Sequence, residues 1–179
     1  MKKLGSRLSF RLGFSVVAST LLLTGCATES LTLGAPRDEV IKKFGNPTAT
    51  VNLATGTRLQ YSRQPEGQSA VMVDVDAAGK VVAVRQVLNA SDFSRVLVGK
   101  WTRQDVEREF GRPARIDHLA NWQGDILTYR WLDGAQNMLF SVYLDGNNVA
   151  QSVGQREEKR DDELRLIRFM GSHSLLWNF

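Results

Sequence analysis

Val40-Ile41-Lys42-Lys43-Phe44-Gly45-Asn46-Pro47 recurs as Val106-Glu107-Arg108-Glu109-Phe110-Gly111-Arg112-Pro113. The shared pattern is V-x-x-x-F-G-x-P, displaced from position 40 to position 106. Ahead of it, Leu33-Gly34 matches Val98-Gly99 with a one-residue gap. Behind it, Leu59-Gln60-Tyr61-Ser62-Arg63 resembles Leu127-Thr128-Tyr129-Arg130-Trp131, and Val71-Met72-Val73-Asp74-Val75-Asp76 parallels the stretch from Leu139 to Asp145. Self-similarity at a fixed displacement outranks other signals, because it states that one unit is used twice. The two copies run over 31–88 and 95–154.

Within each copy the first element reads as a short helix. Val40 and Phe44, like Val106 and Phe110, are spaced i, i+4 and share one helical face. Pro36 suits a first helical turn, where a missing N–H costs nothing. Thr102 with Asp105 three residues on has the form of a capping box, with Asp in place of Glu or Gln. Gly45 and Gly111 fit a left-handed helix-ending residue, and Pro47 and Pro113 stop the helix from resuming. Helices of roughly nine residues hold only when packed on something.

A sheet supplies that support. Residues 57–63, 69–75 and 80–87 are rich in Val, Leu and Tyr, and Val71, Val73 and Val75 alternate with Met72 and Asp74 in a half-buried strand pattern. Asp76-Ala77-Ala78-Gly79 reads as a hairpin turn. The second copy predicts strands at 126–132, 137–144 and 147–153, with turns at Asp133-Gly134 and Asp145-Gly146-Asn147-Asn148. The expected architecture is α+β: two tandem units, each a short helical start packed on a three-stranded antiparallel sheet. Residues 155–179 form a separate tail. It opens with a charge run, Gln155 to Glu163, expected as a solvated helix or linker, and ends in apolar Leu175-Leu176-Trp177-Asn178-Phe179.

The N-terminus carries a different message. Lys2, Lys3, Arg7 and Arg11 precede the apolar run from Phe14 to Leu23, then Leu23-Thr24-Gly25-Cys26. The run is too short to span a bilayer, which takes about 20 apolar residues. A basic start, an apolar middle and small residues before a cut site make an export signal. Leu23-Thr24-Gly25-Cys26 resembles a bacterial lipobox. That resemblance implies cleavage after residue 25 and acylation, including palmitate, at Cys26, the single cysteine of the chain. Residues 26–30 then form a lipidated linker. Ala27 occupies the place where Asp would signal retention in the inner membrane, so the class implies the outer membrane, periplasmic face. An unpaired thiol would be a liability in an oxidising compartment, and acylation removes it.

Charge follows from the cut. The first 25 residues contain four Lys or Arg and no Asp or Glu, so the 23 basic residues become 19, equal to the 19 acidic ones. The net charge of +4 thus belongs to the export signal. Nucleic-acid binding needs a basic surface on the folded part and finds none in this balance.

Catalysis needs a constellation, and the inventory is thin. His118 and His173 are the two histidines, and neither has a Cys or His neighbour at metal-ligand spacing. Asp74 and Asp76 open a D-x-D-x-x-G stretch that lacks the remaining ligands of a calcium loop. No nucleophile elbow or phosphate-binding glycine loop is present. The chain reads as a non-enzyme without metal or cofactor. Its candidate contact residues are aromatic: Leu127, Tyr129 and Trp131 alternate onto one strand face and read as core. Trp101 and Trp122 fall outside that alternation and read as protein-binding positions.

Taken together, the glycine turn, V-x-x-x-F-G-x-P, the Tyr-bearing strand and the V-x-V-D-x-x-G-K-V hairpin resemble the BamE-like (SmpA/OmlA) outer-membrane small lipoproteins. Phe44 and Phe110 replace the Leu usual in that family, while Tyr61 and Tyr129 match its Tyr. The tandem arrangement is also similar to the beta-lactamase-inhibitor-protein architecture. The first resemblance implies a lipid-anchored accessory or scaffold in outer-membrane protein assembly or envelope integrity. Its partners would be the membrane and envelope proteins, among them the barrel-assembly machine. The second implies a binder or inhibitor of a soluble periplasmic target.

Overall fold

The computed structural model describes residues 31–159. The signal segment, the linker with Cys26, and residues 160–179 of the tail with His173 lie outside the described residues. The element order is α1 (Arg37–Phe44), β1 (Ala49–Leu53), β2 (Gly56–Ser62), β3 (Ala70–Asp76), β4 (Val81–Gln86), α2 (Ala90–Phe93), α3 (Arg103–Phe110), β5 (Arg115–Asp117), β6 (Ile126–Asp133), β7 (Gln136–Leu144) and β8 (Ala150–Glu157). The class is α+β. The strands form two four-stranded antiparallel sheets in sequential order, β1-β2-β3-β4 and β5-β6-β7-β8.

Four strands stand where three were expected in each half. The additional ones, β1 and β5, are short and mostly exposed. They bury too little to show alternation and are held by their ladders to β2 and β6. The last strand also differs. It was expected over 147–153 but runs from Ala150 to Glu157, so the charge run begins inside an edge strand. Asp145 causes the delay. Its carboxylate accepts the N–H groups of Asn147 (2.8 Å) and Val149 (2.9 Å), which commits those residues to the turn.

The two halves share backbone devices. Gly34 N–H donates to Val81 O at 2.7 Å, and Gly99 N–H donates to Ala150 O at the same distance. Gly45 and Gly111 end their helices at φ +79, ψ −165 and φ +79, ψ −166. The positive φ favours glycine as expected, but ψ is extended instead of left-handed helical. That ψ sends the chain straight out toward Pro47 and Pro113. Tyr61 Oη donates to Gly45 O (3.2 Å), and Tyr129 Oη donates to Gly111 O (3.0 Å).

Packing separates the halves. Val40 of α1 joins Leu59, Val73, Val75 and Val81 in a core on one face of the first sheet. The other face of that sheet is also covered. Ala70 and Met72 enter a second core with Phe93 of α2, Val106 and Phe110 of α3, and Leu127, Tyr129, Trp131, Phe140 and Val142 of the second sheet. The half-buried pattern expected for β3 is therefore a strand buried on both sides. The layer order is α1, first sheet, α3 with α2, second sheet. Phe93 stands at the centre of the second core, stacked on Phe140 at 4.0 Å and edge-on to Phe110 at 5.3 Å. Such aromatic pairs contribute about 0.5–1.5 kcal/mol beyond their buried area.

Polar groups tie the first sheet to α3. The Gln60 amide donates to the carbonyls of Glu107 and Arg108 at 3.0 and 3.1 Å, and Arg58 Nη1 donates to Arg108 O at 3.1 Å. The last carbonyls of a helix have no partner within it, and here the neighbouring sheet supplies one. A second tie uses Gln64. Its amide donates to Arg130 O at 2.6 Å and accepts from Arg130 N–H at 3.2 Å, adding a side-chain rung beside β6 beyond its ladder with β5.

Candidate functional site

Trp122 lies in the connection between β5 and β6, and that connection is where the two halves differ most. Strands β1 and β2 are joined by Ala54 and Thr55 alone, whereas residues 118–125 separate β5 from β6. Both connections close on a glycine that no other residue could replace. A Cβ on Gly56 would lie 2.0 Å from Val75 O, and one on Gly124 would lie 2.1 Å from Leu144 O. The second half therefore keeps the hinge of the first and carries more chain in front of it.

The longer loop is pinned from three directions. The Trp122 indole N–H donates to Leu144 O at 2.6 Å, and its ring stands edge-on to Tyr143 at 5.6 Å. Leu144 N–H donates to Asp125 O at 2.8 Å. The Asp125 carboxylate takes Arg103 Nη1 at 2.8 Å and lies 3.1 Å from His118 Nδ1. His118 is on the surface, as its sequence position suggests. Between these anchors, Leu119, Ala120, Asn121 and Gln123 face solvent, as does Ile116 on β5. The result is a presented loop on a fixed base, with Leu119 exposed and Trp122 partly buried. Loops on rigid supports are where binding surfaces concentrate.

Trp101 is placed otherwise. It follows a turn closed by its own N–H to Leu97 O at 2.9 Å, and its carbonyl accepts Ala150 N–H at 2.8 Å. Its ring packs at the margin of the second core, 6.1 Å from Phe110. Trp101 and Trp122 thus sit in different settings, one at a core edge and the other on the loop. Leu119 and Ile116 escaped sequence reasoning, because single exposed apolar residues carry no pattern. The spacing from Pro113 to Tyr129, two residues longer than from Pro47 to Tyr61, was the signal that could have found them.

One charge cluster was also missed. Glu109 lies within 4 Å of four arginines: Arg58 (3.1 Å), Arg108 (3.5 Å), Arg95 (3.6 Å) and Arg85 (3.9 Å). Asp74 grips Arg58 through two bonds of 2.6 and 2.9 Å, and Asp92 binds Arg85 and Arg95. The Asp74 hydrogen bond, more than the nearby Glu109 charge, pushes the Arg58 pKa further up against the opposing effect of burial. With Asp105 on Arg108 at 2.6 Å, four carboxylates face the four arginines, which makes the cluster a clamp between the first sheet and α2–α3. No nucleophile or histidine belongs to it. Among the described residues no group of three or more His, Cys, Asp or Glu is arranged to hold a metal ion. An open groove of about 430 Å³ runs between β1 and α3, lined by Ala49, Val51, Gln60, Glu107, Arg108 and Arg112 among others. Its ionisable lining is Glu107 and Arg108 of α3 and Arg112 just beyond it.

No family model matches this chain, and no curated protein matches it. Among solved structures it is similar to a DUF4309 family protein, YjgB, from Bacillus subtilis, at 14% identity and a TM-score of 0.29, covering 73% of this chain and 84% of that one. It is also similar to an extracellular protein containing a SCP domain from Bacillus anthracis, at 12% identity and a TM-score of 0.27, covering 90% of this chain and 59% of that one. Likenesses of this size carry no functional argument. Among the described residues no helix is long and apolar enough to cross a membrane.

Proposed function

We propose that this chain is a lipoprotein of the bacterial outer membrane, acylated at Cys26, that works on the periplasmic face by contact with other envelope proteins. It serves as an accessory or scaffold in outer-membrane protein assembly or envelope integrity and performs no catalysis. Its two halves are read as tandem copies of one BamE-like unit, each enlarged to four strands. The shared glycine, tyrosine and hairpin devices support that reading.

The observation that carries the contact reading is the loop 118–125. The second copy has extended a tight turn, then fixed the extension through Trp122 and Asp125 so that Leu119 stays presented beside a partly buried Trp122. Aromatic and aliphatic anchors held in place before binding lose little entropy on binding. Trp101 remains a candidate contact through its exposed edge. An inhibitor that grips its target between two units needs an open face there. The first sheet's face toward the second half is instead covered by α3, which favours the scaffold reading.

A photo-crosslinking residue placed at Leu119 in intact cells tests this. Capture of a component of the barrel-assembly machine or another outer-membrane protein, lost in the Cys26→Ala variant, is the expected result. A Cys26→Ala protein that still fractionates with membranes, or a loop that captures no envelope protein, would sink the proposal.

A further inference from the structure

We propose that the α1 side of the first sheet is the face this protein turns toward the lipid bilayer. The inference rests on acylation of Cys26 and goes beyond it, since a tether alone sets no orientation.

The argument begins with incomplete cover. Helix α1 has eight residues and spans about 12 Å, whereas the seven residues of β3 span about 23 Å. One helix this short cannot cover the sheet face beneath it. What it leaves open is apolar: Val82 and Val84 of β4 are 53% and 36% exposed, Phe44 at the end of α1 is 40% exposed, and Leu33 is 69% exposed. Tyr61 and Val71 are half-buried among them, with the Phe44 and Tyr61 rings 5.3 Å apart. Scattered apolar residues need no explanation, but Val84, paired with the core residue Val73, and Phe44, set against Tyr61, leave apolar surface on this one face.

The second half shows what such a face requires. There Phe110, Tyr129 and Phe140 hold the places of Phe44, Tyr61 and Val71, and all three are buried. Phe93, ten residues ahead of α3, fills the space above Phe110 and Phe140. The repeat displacement carries position 93 back to position 27 or 28. In sequence, Ala27 and Thr28 stand where the repeat would put a counterpart of Phe93, and Cys26 lies one or two residues from that place.

Chain reach then fixes the occupant. Five backbone steps separate Cys26 from Leu31, which packs against the first core, and they extend at most about 18 Å. Acyl chains inserted at Cys26 hold this face within that distance of the bilayer. The signal segment cannot serve as cover, because cleavage removes it. Lys42 and Lys43, both exposed, stand beside Phe44, a combination suited to an interface of headgroups and acyl chains, with Asp38 and Glu39 at the far end of the helix. With this face toward lipid, the second half and its 118–125 loop are left for protein contacts.

The test uses the full acylated protein in phospholipid vesicles containing bromine-labelled lipid. Acylation leaves no free thiol, so Phe44→Cys, Val82→Cys and Leu132→Cys each accept one bimane label. Leu132, exposed on the second sheet, is the control. Expected is loss of bimane emission at positions 44 and 82 and none at 132. Adding Val84→Asp to the Phe44→Cys protein should reduce the loss while the protein stays with the vesicles. Equal quenching at all three positions, or none, in protein shown by mass to be acylated would overturn the orientation alone. Protein whose mass shows a bare Cys26 would overturn the anchoring reading and this inference with it.

Discussion

Phe44 and Phe110 hold the same place in a repeated motif, yet one is 40% exposed and the other 1%. Their helices start from matching turns, end on glycines of nearly identical conformation, and receive the same tyrosine hydrogen bond. What differs is the layer outside. Helix α3 lies between two sheets, and α1 has a sheet on one side only. A short motif of glycine, proline and spaced apolar residues dictates the path of the backbone. Where the helix sits among the layers decides how much each apolar residue contributes.

The sharpest way to break this comparison is to truncate both rings. Phe110→Ala should destabilise by about 3–5 kcal/mol, as for large-to-small changes in a packed core. Phe44→Ala should cost under about 1 kcal/mol, because its ring already meets solvent. Urea unfolding of the two variants gives the answer, and equal losses would mean that the layer order is wrong. Next in size is the clamp. Arg58→Ala leaves Asp74 and Glu109 without their shared cation in a buried site, at a cost of about 3 kcal/mol. Its control is Arg115→Ala, which breaks an exposed pair with Asp117 and should cost about 0–1 kcal/mol. Comparable losses would place Arg58 on a solvated surface.

The tyrosines give a smaller and pH-dependent contrast. Tyr129→Phe removes a buried hydrogen bond and leaves Gly111 O unpaired, a loss of about 1–2 kcal/mol, while Tyr61→Phe acts at the surface and should cost about half a unit or less. Burial holds the Tyr129 phenol well above the ordinary value of 10.0. The protonated form is therefore favoured by folding. Its stabilisation is complete below pH 10 and declines as pH rises through the folded value. The gap between the natural protein and Tyr129→Phe should narrow above pH 10 in alkaline unfolding experiments. A gap that widens there would contradict burial of the phenol.

Much of this was legible in the residues. The displacement of V-x-x-x-F-G-x-P located both helices, and alternation placed Leu127, Tyr129 and Trp131 in the core. Strands β1 and β5 were not legible, because strands held by ladder bonds with exposed side chains bury no apolar pattern. Burial of Arg58 and Gln60 was not legible for the opposite reason. Polar residues alternating with Leu59 and Tyr61 imitate a solvent face, yet both are buried under the carbonyl end of a helix that lies some 50 residues away in sequence. Of the two tryptophans singled out for contact, Trp122 stands on the presented loop and Trp101 at a core margin. The distinction depends on Leu144 O and Phe110, which are 22 and nine residues distant.

The smallest contrast concerns the helix starts. Thr102 and Asp105 form a reciprocal capping box, whereas Pro36 begins α1 with no side-chain cap. Thr102→Ala should cost about 1 kcal/mol. Residue 39 is already Glu, so Pro36→Ser would complete an S-x-x-E box on α1 and should gain a few tenths to about 1 kcal/mol. The gain depends on the new N–H finding the Glu39 carboxylate, as Thr102 N–H finds Asp105 at 2.8 Å. Thermal melts of both variants would decide it, and a loss at Pro36→Ser would show that proline's fixed backbone outweighs a cap here. Acid separates the two helices further. The Thr102 N–H, with smaller help from its hydroxyl and from Arg108, holds the Asp105 carboxyl below its ordinary value of 3.8. Folding favours the charged form, so this contribution is present above that value and is lost as pH falls through the folded one. Asp105→Asn should therefore differ from the natural protein at neutral pH and converge on it below pH 3.8. A difference unchanged by acid would mean that the box stabilises α3 through geometry and not through charge.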